Sequence, residues 1–179
     1  MTYLKDDTLH LRAVEPGDAD CMWEFENDST QWRDNGMMAP YSHKNLKEYA
    51  ENYDADPIHS GQLRLIVEKL TDEAESKAEI IGIVDLYDIS ATNRTAFIGI
   101  YIKPERRNVG YAQRALGLIE KYSHQLLNLR ILAAKISERN SESLQLFKKC
   151  GYEECGELRH WILCGKNDFS LLLYTKMLP

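Results

Sequence analysis

The sequence predicts one α+β (α/β) domain over residues 1–179, built on a mixed seven-stranded sheet flanked by about four helices. Three observations carry this prediction. Apolar segments rich in β-branched residues alternate with amphipathic segments of helical period. Short polar turns separate several successive strands, which indicates antiparallel hairpins. One apolar strand is followed by a long helix and then another strand, which is the pattern of a parallel crossover.

The N-terminal part of the chain is predicted to hold one strand and two helices. Residues 8–13 alternate apolar and polar side chains, as a half-buried strand does. Pro16 opens the first helix, because proline is favoured at the first helical position. Ser42 is a favoured N-cap for the second helix, which runs to about Tyr53. The segment between these helices and residues 54–61 are predicted to be irregular.

Three strands in the middle of the chain are predicted to pair as hairpins. The polar segment 71–77 and the turn 91–94 separate them. The third strand is nearly continuous in apolar residues, as a central strand would be. Pro104 ends it, because proline cannot donate to a sheet ladder. The three strands span residues 62–69, 78–89 and 95–102.

The C-terminal part adds two helices and three strands. A helix from Gly110 to about Leu127 carries an apolar stripe at helical spacing. The next helix, over residues 140–150, ends at Gly151, a favoured helix stop. A turn over residues 164–168 joins the last two strands. The strands span residues 129–136, 152–163 and 169–177. The predicted order is therefore β-α-α-β-β-β-α-β-α-β-β.

Composition narrows the class of protein. The chain is 44% hydrophobic and 28% charged with a net charge of −6, which indicates a globular protein without a broad basic surface for nucleic acid. No apolar run reaches the roughly 20 residues of a membrane helix, and the N-terminus lacks the apolar core of a signal peptide. We therefore expect a cytoplasmic protein with no nucleic-acid or membrane partner. The four cysteines show no zinc-type spacing, so we expect no metal.

The segment Ile98–Ala112 is the most informative motif. It predicts a buried strand, a basic turn with Arg106 and Arg107, and a helix that begins near Gly110. The backbone N–H groups at the start of a helix lack partners and lie at the positive end of the helix dipole. Such a turn predicts an anion site, for which a pyrophosphate is the best candidate.

Two blocks of sequence resemble the GCN5-related N-acetyltransferase (GNAT) superfamily. Arg107–Ala112 (Arg-Asn-Val-Gly-Tyr-Ala) matches that family's acetyl-CoA motif, Gln/Arg-x-x-Gly-x-Gly/Ala. Asn140–Tyr152 resembles its second block, Asn-x-x-Ala/Ser-x-x-x-Tyr/Phe-x-Lys/Arg-x-Gly-Phe/Tyr, and the element order agrees over nearly the whole chain. Three shorter segments resemble the branch with ribosomal-protein N-terminal acetyltransferases and spermidine N-acetyltransferase. These are residues 9–18, 127–129 and 156–160.

The resemblance implies acetyl-CoA as cosubstrate and a strongly twisted sheet. It places the pyrophosphate on backbone N–H groups of the basic turn, and the pantetheine arm on a strand that splays from its neighbour. Asn140 is open between two roles, capping its helix and contacting the cofactor arm. The expected cofactor residues are Ile100, Tyr101, Ile102, Arg107, Asn108, Val109, Gly110, Tyr111, Ala112, Asn140 and Phe147.

Phe147 departs from the family pattern. Many members carry tyrosine here, and its hydroxyl protonates the departing thiolate, whereas phenylalanine has no proton to give. Either the thiolate leaves unassisted, as a thiol pKa of about 8.5 allows, or a neighbour donates, or the protein catalyses weakly or not at all. Cys150 and Tyr152 are near in sequence, and Cys150 is expected to be a core thiol.

A general base is needed if the acceptor amine arrives as an ammonium ion. Glu68, Asp85 and Asp88 lie on or near strands that flank the cofactor strand. Similar positions in spermidine acetyltransferases are acidic, so Asp85 and Asp88 are candidates to meet a cationic amine. The alternative for all three is a solvated carboxylate at the end of a strand.

The segment 27–53 should frame the acceptor side, with Trp32, Met38 and Tyr41 lining it. Spermidine acetyltransferases tend to carry paired acidic residues here, whereas this chain has one carboxylate and one arginine. The acceptor is therefore open between a small polyamine-like amine and a protein or peptide N-terminus. We expect an acetyl-CoA-dependent N-acetyltransferase that works by direct attack in a ternary complex. The alternative is an acyl-CoA-binding or sensory domain, and a homodimer is left open.

Overall fold

The computed structural model describes residues 3–29, 32, 39–54, 56–71 and 78–179. These residues form seven strands and five helices, and the predicted order of strands and long helices is confirmed. Two 3-10 turns, Pro16–Asp18 and Pro104–Arg106, precede the first and fourth helices. The elements are β1 Leu9–Ala13, α1 Ala19–Glu26, α2 His43–Glu51, α3 Pro57–Ser60, β2 Leu63–Lys69, β3 Glu79–Ser90, β4 Thr95–Ile102, α4 Tyr111–Gln125, β5 Ile131–Ser137, α5 Ser141–Lys149, β6 Glu153–Cys164 and β7 Asn167–Met177.

The seven strands form one mixed sheet, as predicted. Their order is β1-β2-β3-β4-β5-β7-β6. Neighbouring strands are antiparallel except β4 and β5, which are parallel and are connected through α4. The predicted parallel crossover is therefore confirmed, and it lies at the centre of the sheet.

Two apolar layers cover the two faces of this sheet. One contains Leu116 of α4 and Phe147 of α5, and the other contains Met22 of α1 and Leu46 of α2. Because successive side chains of a strand point to opposite faces, even-numbered residues of β4 face α4 and α5. Odd-numbered residues face α1 and α2, as Tyr101 does. We call these the cofactor face and the acceptor face.

Residues 54–61 contain helix α3, so the prediction of an irregular segment is wrong for this turn. Asp56 is its N-cap, and the side-chain oxygen accepts from two N–H groups of the first turn at 2.9 and 3.2 Å. Pro57 occupies the first helical position, and Gly61 ends the helix with a φ of 71°. The sequence already contained the signals for this short helix: an Asp-Pro pair that favours a helix start, and a glycine four residues after the proline that favours a helix end.

The other element boundaries differ by a few residues. The first predicted helix begins with a 3-10 turn at Pro16. The last hairpin is longer than predicted, because its strands continue to Cys164 and Asn167 and leave a two-residue turn. The predicted loops over residues 27–40 and 71–77 lie mostly outside the described residues.

The described residues also bear on membrane and metal binding. None of their helices combines the length and the apolar character needed to cross a membrane. They contain no group of three or more His, Cys, Asp or Glu side chains that could hold a metal ion. All four cysteines are free thiols.

Candidate active site

A cleft of about 590 Å³ opens where β4 and β5 separate. The two strands pair over three residue pairs, from Thr95↔Ile131 to Phe97↔Ala133. Beyond that point β4 continues to Ile102 without pairing to β5, so one edge of its backbone is available to pair with a ligand. The splay that the family resemblance implied is therefore present.

The walls of the cleft bring together nine of the eleven expected cofactor residues. The two that the walls do not include are Val109, which is 64% exposed, and Phe147, which lies in the core. The cleft also has lining residues from α5 that the sequence did not single out, including Glu142 and Ser143. The nine are Ile100, Tyr101, Ile102, Arg107, Asn108, Gly110, Tyr111, Ala112 and Asn140.

The turn before α4 supplies a row of free backbone donors. In the described part of the chain, the N–H groups of residues 108–113 donate to no protein acceptor. Asn108 and Gly110 have φ angles of 62° and 91°, a left-handed conformation that makes a concave row of N–H groups. The row stands at the N-terminus of a 15-residue helix. This arrangement fits a pyrophosphate.

Both arginines of this turn are already held by carboxylates. Arg106 Nε donates to Glu79 Oε1 at 2.7 Å. Arg107 Nε donates to the carbonyl oxygen of Ile102 at 2.9 Å, and its Nη1 lies 3.5 Å from Glu142 Oε2. Arg107 therefore bridges the cleft from β4 to the start of α5. The main-chain donors are open to an anion, whereas Arg107 already shares its positive charge with Glu142.

Asn140 fills one of the two roles that the sequence left open, the capping of its helix, and its position is compatible with the other. Its Oδ1 accepts from the backbone N–H of Ser143 at 3.0 Å, which caps α5. The residue also lines the cleft. Because the cap uses only the side-chain oxygen, the amide NH2 group can still donate to a ligand.

Phe147 packs in the core of the cofactor face. It is 3% exposed, and its ring meets the ring of Tyr152 edge-on at 4.9 Å between centroids. Burial, reinforced by the nearby Glu120 carboxylate, raises the pKa of Tyr152 and keeps its hydroxyl protonated. Burial likewise raises the pKa of the Cys150 thiol. Tyr152 thus places its ring, but no demonstrated proton donor, against the ring that replaces the family's tyrosine.

Two of the three candidate bases are bound to arginines. Arg64 donates from Nε and Nη2 to both carboxylate oxygens of Asp85 at 2.7 and 2.9 Å, and its Nη1 lies 2.6 Å from Glu26 Oε1. Glu68 accepts from Arg12 Nε at 2.6 Å. In both contacts the guanidinium N–H groups already occupy carboxylate oxygens that would have to accept a proton from the amine. These contacts suit a structural framework better than proton transfer.

Asp88 differs from the other two candidates. It interrupts β3 at a bulge, where pairing with β4 stops at Tyr87 and resumes at Ser90, and its φ is 50°. Its side chain is 67% exposed, and its ion-pair partner is Lys135, at 3.8 Å from Nζ to Oδ2. Among the three candidates, it is the carboxylate that no arginine holds.

The expected acceptor residues lie near the end of α1. Trp32 Nε1 donates to the carbonyl oxygen of Glu26 at 3.0 Å. Tyr41 is 44% exposed, and its backbone N–H donates to Asn27 Oδ1 at 3.0 Å. Met38 lies outside the described residues.

Sequence reasoning missed a cluster at the point where β4 and β5 separate. The Lys135 ammonium lies 4.0 Å from the ring centroid of Phe97 and 5.6 Å from that of Tyr87. A signal was present, because Lys135 is the one charged residue within β5. Its partners come from β3 and β4, and that pairing is visible only in the folded sheet.

The fold and the cleft define an acyltransferase that takes its acyl group from coenzyme A. Residues 8–153 match a family model described as an acetyltransferase (GNAT) domain. The chain therefore belongs to the GNAT family and is an N-acetyltransferase that uses acetyl-CoA.

Named relatives and a solved structure agree with this assignment. The spermidine N(1)-acetyltransferase of Vibrio cholerae is 28% identical over 153 residues, which cover 84% of this chain and 82% of that protein. The enzyme of the same name from Escherichia coli K12 is also 28% identical, with 86% and 77% covered. A crystal structure of the Vibrio cholerae spermidine N-acetyltransferase with CoA and spermine superposes with a TM-score of 0.83, at 23% identity and 97% coverage of both chains.

Proposed function

We propose that this chain acetylates a small polyamine-type primary amine with acetyl-CoA as donor. The observation that carries the proposal is the splay of β4 from β5 beside the free N–H groups of residues 108–113. The splay borders an acceptor face that carries aromatic rings and carboxylates. Relatives named as spermidine N(1)-acetyltransferases support the acceptor class. The alternative acceptor is a protein or peptide N-terminus, which the names of these relatives do not support.

The backbone would hold acetyl-CoA, which supplies an activated acetyl group. The N–H groups at the start of α4 would bind its pyrophosphate, and Asn140 could donate to the arm. The free edge of β4 would pair with the amide groups of the arm, as an added strand does. Since β4 and β5 close together again at Phe97, the thioester end of the arm would lie close to that residue.

The acceptor amine would approach over the acceptor face. An ammonium ion must lose a proton before it can attack a carbonyl carbon. Asp88 lies at the bulge near this point and is open to water, so it would receive the cation and help to pass its proton to solvent. Asp85 and Glu68 would instead hold the surrounding strands through Arg64 and Arg12.

The departing thiolate would leave without a tyrosine at the family position. Phe147 offers no proton, and Tyr152, whose ring packs on Phe147, is buried in the core. A thiolate with a pKa of about 8.5 is stable enough to leave and take its proton from solvent.

The proposal is tested by thiol release from acetyl-CoA with three acceptors: spermidine, n-butylamine and a short peptide with a free N-terminus. We expect spermidine to have the highest kcat/KM, with intersecting double-reciprocal lines that indicate a ternary complex. A preference for the peptide would contradict the acceptor class. Binding of acetyl-CoA without turnover of any amine would contradict catalysis and favour the sensory alternative. The homodimer stays a prediction that sedimentation would test.

A further inference from the structure

Lys135 reaches across the acceptor face at the point where β4 and β5 separate. Its ammonium lies 4.0 Å from the ring centroid of Phe97, 5.6 Å from that of Tyr87 and 3.8 Å from Asp88 Oδ2. The last β4–β5 pair, Phe97↔Ala133, lies two residues before Lys135. The chain therefore places its own primary ammonium close to the expected end of the cofactor arm.

The groups around this ammonium are arranged as a binding site for a cation. Tyr87 and Phe97 are a cross-strand pair, and their rings are stacked with centroids 5.5 Å apart and 19° between planes. Asp88 follows Tyr87 at a bulge, and the Lys135 ammonium contacts both its carboxylate and the two rings. Two aromatic faces beside one carboxylate provide the chemistry that recognises an ammonium group.

The charges near the site also favour a cation. Burial, followed by the charges of Asp88 and Asp85, raises the pKa of Tyr87 to about 12, so its phenol stays neutral. Asp85 shares the Arg64 cation with Glu26, whereas Asp88 has Lys135 as its cation. Without Lys135, the site would hold an unbalanced carboxylate facing two rings.

Lys135 is held loosely enough to leave this site. Its side chain is 38% exposed, and its ion pair with Asp88 is near the long end of the range for such contacts. A lysine side chain has a flexible four-carbon stem and can place its ammonium in water.

We propose that Tyr87, Phe97 and Asp88 form the ammonium-binding site for the acceptor amine, and that Lys135 occupies this site until the amine displaces it. The inference rests on the proposed function, because it names the place where an amine acceptor binds. Lys135 is thereby an internal competitor that weakens amine binding.

Direct binding of spermidine, measured by calorimetry without acetyl-CoA, tests this inference. Lys135→Met should lower the Kd for spermidine about fivefold, because the amine no longer competes for the two rings. Asp88→Asn should raise the Kd about fivefold, and asparagine tolerates the left-handed backbone at this bulge. Phe97→Leu should raise the Kd as well, since it removes the ring that lies nearest to the cation.

Two control variants separate a specific site from a general charge effect. Lys135→Arg keeps the internal cation and should leave the Kd close to that of the wild type. Lys121→Met removes an exposed charge from α4 and should also leave it unchanged. In the double variant Lys135→Met/Asp88→Asn, the gain from the first change should largely disappear, because both act on the same cation.

The outcomes distinguish this inference from the proposed function. An unchanged or higher Kd in Lys135→Met, an equal gain in Lys121→Met, or no spermidine binding in any variant would overturn the ammonium site. If spermidine is acetylated but Lys135→Met does not tighten its binding, the function stands and the site fails. If Lys135→Met and Asp88→Asn shift the Kd as expected but no amine is acetylated, the site stands and the function fails.

Discussion

The two halves of the active site are built from different parts of the chain. The cofactor half uses backbone groups from one continuous segment, Ile98–Ala112, with a cap from Asn140. The acceptor half uses side chains from separate elements, such as Glu26 on α1, Arg64 on β2 and Lys135 on β5. A short motif can specify the first half, whereas the second exists only after the sheet has formed. The two halves should therefore respond separately to substitution.

The largest effect is expected on the cofactor side. Gly110→Glu should abolish acetyl-CoA binding in calorimetry, because Gly110 has a φ of 91° and the new carboxylate would enter an anion site. Gly117→Glu is the matched control, since it adds the same charge to the same helix where a side chain meets no atom within 4 Å. It should leave micromolar binding in place. Equal loss in both variants would show that charge, and not the turn, controls binding.

On the acceptor side, Arg64→Met should lower the free energy of unfolding by about 3 kcal/mol, because it leaves Glu26 and Asp85 without their shared cation in a partly buried site. Urea denaturation measures this loss. Arg159→Met, which breaks an exposed pair with Glu157, should cause no measurable change.

The same variant also tests whether the halves are independent. Folded Arg64→Met protein should bind acetyl-CoA like the wild type, since the free N–H groups of residues 108–113 do not depend on Arg64. A parallel loss of stability and acetyl-CoA affinity would mean that the two halves are coupled through the sheet.

This division explains what could be predicted from the sequence. Periodicity and turn residues gave the order of all seven strands, and β4 was predicted with the same bounds that the structure shows. The turn that precedes α4 was predictable, because its anion-binding N–H groups depend on the backbone conformation of consecutive residues. The bond between Arg64 and Asp85 joins residues 21 apart, and the contact of Lys135 with Phe97 depends on register. The sequence does not show which residues the strand register brings together, so neither contact could be predicted from it.

Phe147→Tyr tests whether the hydroxyl that this chain lacks at position 147 would speed acetyl transfer. The Phe147 ring is 3% exposed and packs on Tyr152, so the new hydroxyl would enter the core and cost about 1 kcal/mol of stability. We expect kcat to stay within about twofold of the wild type, because a hydroxyl that does not reach the thiolate cannot supply general-acid catalysis. A tenfold rise in kcat would show that the hydroxyl reaches the thiolate and that proton donation limits the native enzyme.

The smallest expected effect is a change in acetyl-CoA affinity that depends on Arg107. A carboxylate and a phosphate of the cofactor would compete for this arginine. Glu142→Gln removes the carboxylate that lies 3.5 Å from Arg107 Nη1 across the cleft. Acetyl-CoA should then bind about twofold more tightly, because Arg107 is released from a weak exposed ion pair and one negative charge leaves the anion site. Glu153→Gln, at an exposed position on β6, is the control and should not change the Kd. Weaker binding in Glu142→Gln would instead show that the pair holds Arg107 in the orientation that the cofactor requires.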